Sequence, residues 1–163
     1  MKLLPTTRYL ILGAIPLCIF IGLFSCQSSY QPSQEISERL PENVDFNYHI
    51  KPILSDRCFK CHGPDANQRK AELRLDNASQ AFDKREREDG SSFFPLVAGN
   101  ATDSDLFQRI VSEDADYMMP PPEANLALTE FEKAMIAKWI DQGAQYNDLW
   151  YFVCHQKPVV PGN

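Results

Sequence analysis

Cys58-Phe59-Lys60-Cys61-His62 is the stretch on which the reading of this chain turns. It has the form C-x-x-C-H, the attachment pattern of a c-type haem. Two thiols separated by two residues can each add to one vinyl group of a single porphyrin. The histidine after the second cysteine then lies under the iron and offers it a nitrogen. The iron chemistry belongs to such a cofactor, while the protein chooses ligands, polarity and access. Two other readings stand beside this one, because a bare C-x-x-C pair is also half of a zinc site or a thiol redox pair. Zinc needs two further ligands, and the remaining candidates, Cys154 and His155, are neighbours far along the chain. Adjacent residues are awkward ligands for one metal. A thioredoxin-like pair needs a strand, a turn and a helix in a parallel-sheet setting, and the flanking sequence offers none. The expectation is one covalent haem c, with Cys58 and Cys61 as attachments and His62 as a metal ligand.

The N-terminus supports that expectation. Lys2 and Arg8 precede an apolar run over residues 9–24, interrupted by Gly13 and Pro16. The run is short for a transmembrane helix, which needs about 20 residues, and reads as an export signal. Leu23-Phe24-Ser25-Cys26 resembles a bacterial lipobox, although Phe24 is bulkier than the usual occupant. Cys26 is therefore the expected lipidation site and mature N-terminus; an uncleaved signal anchor is the alternative. Either way the domain is expected outside the cytoplasm, in the periplasm or envelope of a bacterium and held at a membrane, where covalent haem is attached. Cys18 leaves with the signal and Cys154 is left over, so no disulfide framework is expected. The 163 residues suit one domain. A net charge of −6 without a Lys/Arg-rich run argues against nucleic acid as a partner.

Further along, residues 1–25 are the signal, and 26–43 are rich in Ser, Gln, Glu and Pro without apolar period, a composition that predicts a flexible tether. The domain is expected over 44–152, and 153–163 as a tail or the start of a linker. Phe46, Ile50, Ile53 and Leu54 recur at helical spacing, with Asp45 or Asn47 able to cap and Pro52 near the start. His49 on that helix is a conceivable second haem ligand, though a surface histidine is the plainer reading. The alternation in residues 71–76 predicts a short strand or extended segment with Leu73 and Leu75 inward, and Arg74 solvated or reaching a haem propionate. Residues 83–92 carry mixed charge and predict a solvated loop. Asp103 or Ser104 can cap a helix carrying Leu106, Phe107, Ile110 and Val111. Met118-Met119 then enters Pro120-Pro121-Pro122, which predicts a rigid extended path. A methionine there is a candidate second iron ligand, a soft thioether that raises the reduction potential; two core methionines are the alternative. Pro120 pushes Met119 toward an extended conformation, where successive side chains face opposite ways, so one of the two sulfurs can face an iron. Thr129-x-x-Glu132 is a capping box, opening a helix with Phe131, Met135, Ile136, Trp139 and Ile140 on one face and Gly143 beyond its end. Met135 is expected in the core.

Taken together, Cys58-Phe59-Lys60-Cys61-His62-Gly63-Pro64, Leu73-Arg74-Leu75-Asp76, Met119-Pro120-Pro121-Pro122 and Trp139-Ile140-Asp141-Gln142-Gly143-Ala144 resemble, in order, the planctomycete-type cytochrome c domain. Val44-Asp45-Phe46-Asn47 and Pro52-Ile53-Leu54 are similar as well, so the resemblance runs from about Val44 to Phe152. It implies an all-α, cytochrome c-like fold of about three main helices around one covalent haem, with long extended loops. It implies Cys58 and Cys61 as thioether attachments, His62 as proximal ligand and Met119 as distal ligand. Departures are His49, where the family more often has an acidic residue, the duplicate Met118, and Cys154-His155 after the aromatic run. In many relatives this domain heads a longer chain. The implied activity is single-electron transfer with an unidentified redox partner protein, not catalysis, since no general base, nucleophile or substrate pocket stands out. Two alternatives remain: a haem-based ligand-binding or sensor module, if Met119 dissociates readily, and a zinc-stabilised interaction domain using Cys58, Cys61 and Cys154 or His155.

Overall fold

Ser33 caps the first helix of the computed structural model, which describes residues 30–147. Cys26, the export signal, the aromatic run at 149–153 and Cys154-His155 lie outside the described residues. Helix α1 (Gln34–Arg39) falls in the stretch expected as a tether, and it packs on the domain instead. The Tyr30 ring meets Phe107 edge-on with centroids 5.1 Å apart, and its hydroxyl donates to Glu130 at 3.4 Å. The Arg39 guanidinium lies 5.0 Å over the Phe131 ring. The segment is anchored by one aromatic ring and one cation–π contact, so it needs no apolar stripe, and periodicity missed it.

Asp45 opens the next unit, its carboxylate accepting the Tyr48 N–H at 2.8 Å. A π-helical turn, Phe46–Ile50, runs directly into α2 (Lys51–Arg57). Pro52 has no N–H, so the turn ahead of it is not bound to α spacing. Ile50 and Leu54 are fully buried. Cys58 breaks the helix at φ −124°, and α3 (Phe59–His62) follows at once.

The expected strand at 71–76 does not form. Ala71 and Glu72 both take left-handed backbone (φ 51°), which a strand cannot hold. The side-chain directions agree with the alternation all the same: Leu75 is buried and Leu73 packs against the core. Helix α4 (Ala78–Phe82) is capped by the Asn77 side chain. The expected solvated loop contains the antiparallel pair β1 (Arg85–Glu86) and β2 (Ser92–Phe93), with Arg85 opposite Phe93. Its turn closes because Asp89 accepts the Ser91 N–H at 2.8 Å and Gly90 supplies φ 81°.

Helix α5 (Asp105–Val111) buries Leu106, Phe107 and Ile110. Ser104 precedes it, but its hydroxyl donates to Asn100 O and accepts from Val97 N–H rather than capping. Pro121 is extended (φ −66°, ψ 149°), as expected, but Pro122–Ala124 forms a 3-10 turn. Helix α6 (Glu130–Asp141) carries the complete capping box. Glu132 N–H donates to the Thr129 hydroxyl at 3.2 Å, and Thr129 N–H donates back to Glu132 at 2.7 Å. It buries Ala134, Met135, Ile136, Ala137, Trp139 and Ile140 and ends before Gly143 (φ 101°). The described residues thus form six α-helices and one small hairpin, a mostly helical domain. The three longest, α2, α5 and α6, are those the periodicity marked.

Candidate functional site

The C-x-x-C-H segment is one helical turn. Cys58 O accepts from Cys61 N–H at 3.0 Å and from His62 N–H at 2.8 Å, while Cys58 N–H closes the end of α2 on Leu54 O. Both cysteines are free thiols. This spacing puts Cys58 and Cys61 on one side of a turn. Burial pushes the Cys58 thiol up to about 12, with the Glu132 charge adding to it and Arg57 opposing. The thiol is therefore held neutral. His62 is pulled below the ordinary histidine value by burial, with the Arg109 and Arg85 charges adding and the Lys70 backbone opposing. Its Nδ1 is buried without a hydrogen-bond partner among the described residues.

The turn is clamped from its C-terminal side. Lys70 N–H donates to Cys61 O and Leu75 N–H to His62 O, each at 2.8 Å. Arg69 reaches back to Gly63 O at 3.2 Å and Pro64 O at 2.9 Å. Arg85, on β1, donates to Ala71 O and Glu72 O at 3.0 Å each, holding the left-handed pair that defeated the strand expectation. Gly63 has ordinary φ, but a Cβ there would collide with Phe59 O and lie 2.8 Å from Phe59 Cβ. The residue after the histidine must therefore be glycine for this close approach.

An aromatic group supports the other side. Tyr146 lies 4.4 Å from Phe46 and 5.3 Å from Trp139 by ring centroids, and its hydroxyl donates to Leu75 O at 3.0 Å. Burial, helped by the Asp76 charge, raises the Tyr146 phenol. Sequence reasoning passed over Tyr146; its spacing from Trp139, one turn beyond Gly143, is the signal that could have found it. Arg74 keeps part of its surface in solvent, as expected, and is also paired with Asp76. It grips Asp76 with Nε at 3.1 Å and a second donor on the other oxygen. His49 is occupied locally, its Nδ1 accepting the Asp45 N–H at 2.9 Å. Met135 is in the core, as expected.

Met118 and Met119 follow a turn in which Tyr117 and Met118 N–H groups both donate to Asp114 O. Met119 N–H donates to Arg109 O at 3.0 Å, tying that residue to the last turn of α5. The guanidinium of the same Arg109 acts on His62, so the methionine segment is fastened to a residue whose charge reaches the histidine. Among the described residues no cluster of three or more His, Cys, Asp or Glu could hold a metal ion. Zinc at Cys58 and Cys61 would draw its remaining ligands from outside them. A haem c suits these residues better: two free thiols on one turn and a buried imidazole nitrogen with no protein partner are the donors it needs.

Fold and site together make a small, mostly helical domain built around the C-x-x-C-H turn. Residues 58–123 match the family model described as Planctomycete cytochrome C, so the resemblance read from the motifs holds over that stretch, from the first cysteine through the proline run. A match to that family points to a haem-binding electron-transfer module. No curated protein and no solved structure matches the chain.

Proposed function

We propose that this protein is an extracytoplasmic, membrane-anchored c-type cytochrome module that carries one covalent haem and exchanges single electrons with a partner redox protein. The observation that carries the reading is the C-x-x-C-H helical turn, with its free thiols and unpartnered His62 nitrogen, inside the family match. Cys58 and Cys61 would hold the group through thioethers, and His62 and Met119 would offer its iron a nitrogen and a sulfur. When bound, the haem supplies a reversible one-electron change at its iron. The chain's own residues do the rest. The clamp of Arg69, Arg85, Lys70 and Leu75 fixes the direction of His62. Leu54, Leu75, Phe46 and Trp139 keep water from the packed side. The positive charges of Arg85 and Arg109 near His62 favour the state carrying more electrons.

The anchoring part rests on the lipobox-like Leu23-Phe24-Ser25-Cys26 and on the shortness of the apolar run. No helix among the described residues is long and apolar enough to cross a membrane. Cys26→Ser should release or misprocess the protein, whereas a mature protein starting at Met1 would replace the lipid anchor with a signal anchor.

The test of the whole is a spectrum of the purified protein followed by acid–organic extraction. The expected result is a Soret band whose chromophore stays with the polypeptide, and its loss on replacing Cys58 and Cys61 together with Ala. One bound zinc and no Soret band would establish the zinc reading instead. Rapid carbon monoxide binding by the reduced wild type would make it a ligand-binding module.

A further inference from the structure

Asp105 is the one buried acid among the described residues. It is 5% exposed, at the first position of α5, and is reached by three side chains from three segments. Oδ1 takes the Arg87 guanidinium, from the turn of the hairpin, and the Tyr117 hydroxyl at 3.0 Å. Oδ2 takes Arg109 Nε at 2.7 Å. A helix-start aspartate needs none of this, since an exposed one already interacts favourably with the first-turn N–H groups. Burying it among two guanidiniums and a phenol is costly unless every oxygen is matched, and here both are.

We propose that Asp105 is the positioning residue for the Met119 sulfur, acting through Arg109 and Tyr117; this rests on Met119 as the distal ligand. Arg109 carries the constraint in two directions. Its Nη1 donates to Tyr117 O at 3.2 Å, and its guanidinium lies 4.3 Å over the Tyr117 ring. Its carbonyl accepts the Met119 N–H. Residues 117 and 119 are thus both fastened to Arg109, and Arg109 is oriented by Asp105. Tyr117 is held a further time, its hydroxyl also meeting Gln108 at 3.3 Å. With the backbone fixed on either side of Met118, the freedom left to Met119 is that of its side chain, an unbranched chain that adapts to a ligand only if its root is still. Without Asp105 the two arginines lose their shared counter-charge and Tyr117 its acceptor, and the loop is released from α5.

The experiment uses the full haem-loaded chain with Asp105→Asn, Tyr117→Phe and, as a control of similar instability away from this network, Asn77→Ala, which removes the α4 cap. Hydrogen exchange at the Met119 amide should quicken about ten-fold or more in Asp105→Asn, in line with loss of a charge-assisted bond. The ferric methionine–iron near-infrared band should weaken, and carbon monoxide should bind the reduced protein faster. Tyr117→Phe should move all three in the same direction by less, and Asn77→Ala should move none. Exchange and band in Asp105→Asn equal to those of Asn77→Ala would overturn the proposal. Should Asp105→Asn not fold, an unchanged Tyr117→Phe would overturn it alone. A wild type without the band sinks Met119 as ligand and with it the positioning of that sulfur, while intact covalent haem would leave the attachment reading standing.

Discussion

Gly63→Ala puts the site geometry to a sharp test. The backbone at Gly63 (φ −117°, ψ −162°) is open to any residue, so conformational preference contributes nothing to the cost. The added methyl would collide with Phe59 O, stand 2.8 Å from Phe59 Cβ and 3.0 Å from Phe59 C. Two of those three atoms are backbone, and Phe59 lies between the two cysteines, so relief must come from moving the turn that carries the thiols. Overpacking of that kind costs about 1–3 kcal/mol. For a domain of this size, about 2 kcal/mol lowers Tm by roughly 6–12 °C. Gly90→Ala is the contrast: φ is 81° and no atom lies within 4 Å, so it costs about 1–2 kcal/mol of left-handed strain and leaves the thiols alone. Thermal unfolding followed by circular dichroism reads the stability, and mass spectrometry reads covalent haem. Gly63→Ala should lose both stability and attachment yield, Gly90→Ala stability only. A Gly63→Ala protein that melts with the wild type and attaches haem fully would refute the reasoning.

Met119→Ala should abolish the ferric near-infrared band and lower the reduction potential, while Met118→Ala leaves both nearly unchanged; the reverse pattern in voltammetry and absorbance would transfer the ligand to Met118. The Arg74 hydrogen bond holds Asp76 below the usual aspartate range. That contribution is present above the unfolded value of about 3.9 and lost as pH falls through the folded one. Asp76→Asn should therefore have a lower urea midpoint than wild type at about pH 6 and converge with it toward about pH 2, and parallel curves would refute the linkage. Tyr146→Phe keeps the ring stack but leaves Leu75 O without its phenol donor, so denaturant titration should show a loss of about 1 kcal/mol.

What was legible in the sequence had a local cause. Thr129 and Glu132 cap each other within one turn, and Asp45 caps three residues ahead, so both starts could be read from spacing. The apolar positions of α2, α5 and α6 repeat at helical period because each helix buries a stripe. Cys58, Cys61 and His62 stood out by their spacing, and the structure puts them on one helical turn. The misses are places where a distant partner decides. Ala71 and Glu72 turn left-handed under the grip of Arg85, thirteen or fourteen residues on, and no local pattern announces it. The first half of the 85–93 hairpin is charged, and its two arginines find their partners elsewhere: Arg85 on Ala71 O and Glu72 O, Arg87 on Asp105. Helix α1 owes its place to Phe107, Glu130 and Phe131, about a hundred positions away in the last case.

That same reach has a consequence for how the chain closes. Val44 N–H bonds Gln142, Gln142 bonds Glu42 O, and Asp45 and Asn47 bond Asn147, so the two ends of the domain are stitched together across roughly its whole length. Contacts at such separation form late, because the loop they close must be ordered before they contribute. A growing chain cannot make any of them until α6 and Asn147 have emerged. Until then the segment before the cysteines has none of these C-terminal partners, and Cys58, which ends up half-buried against the core, stays more open than in the finished fold.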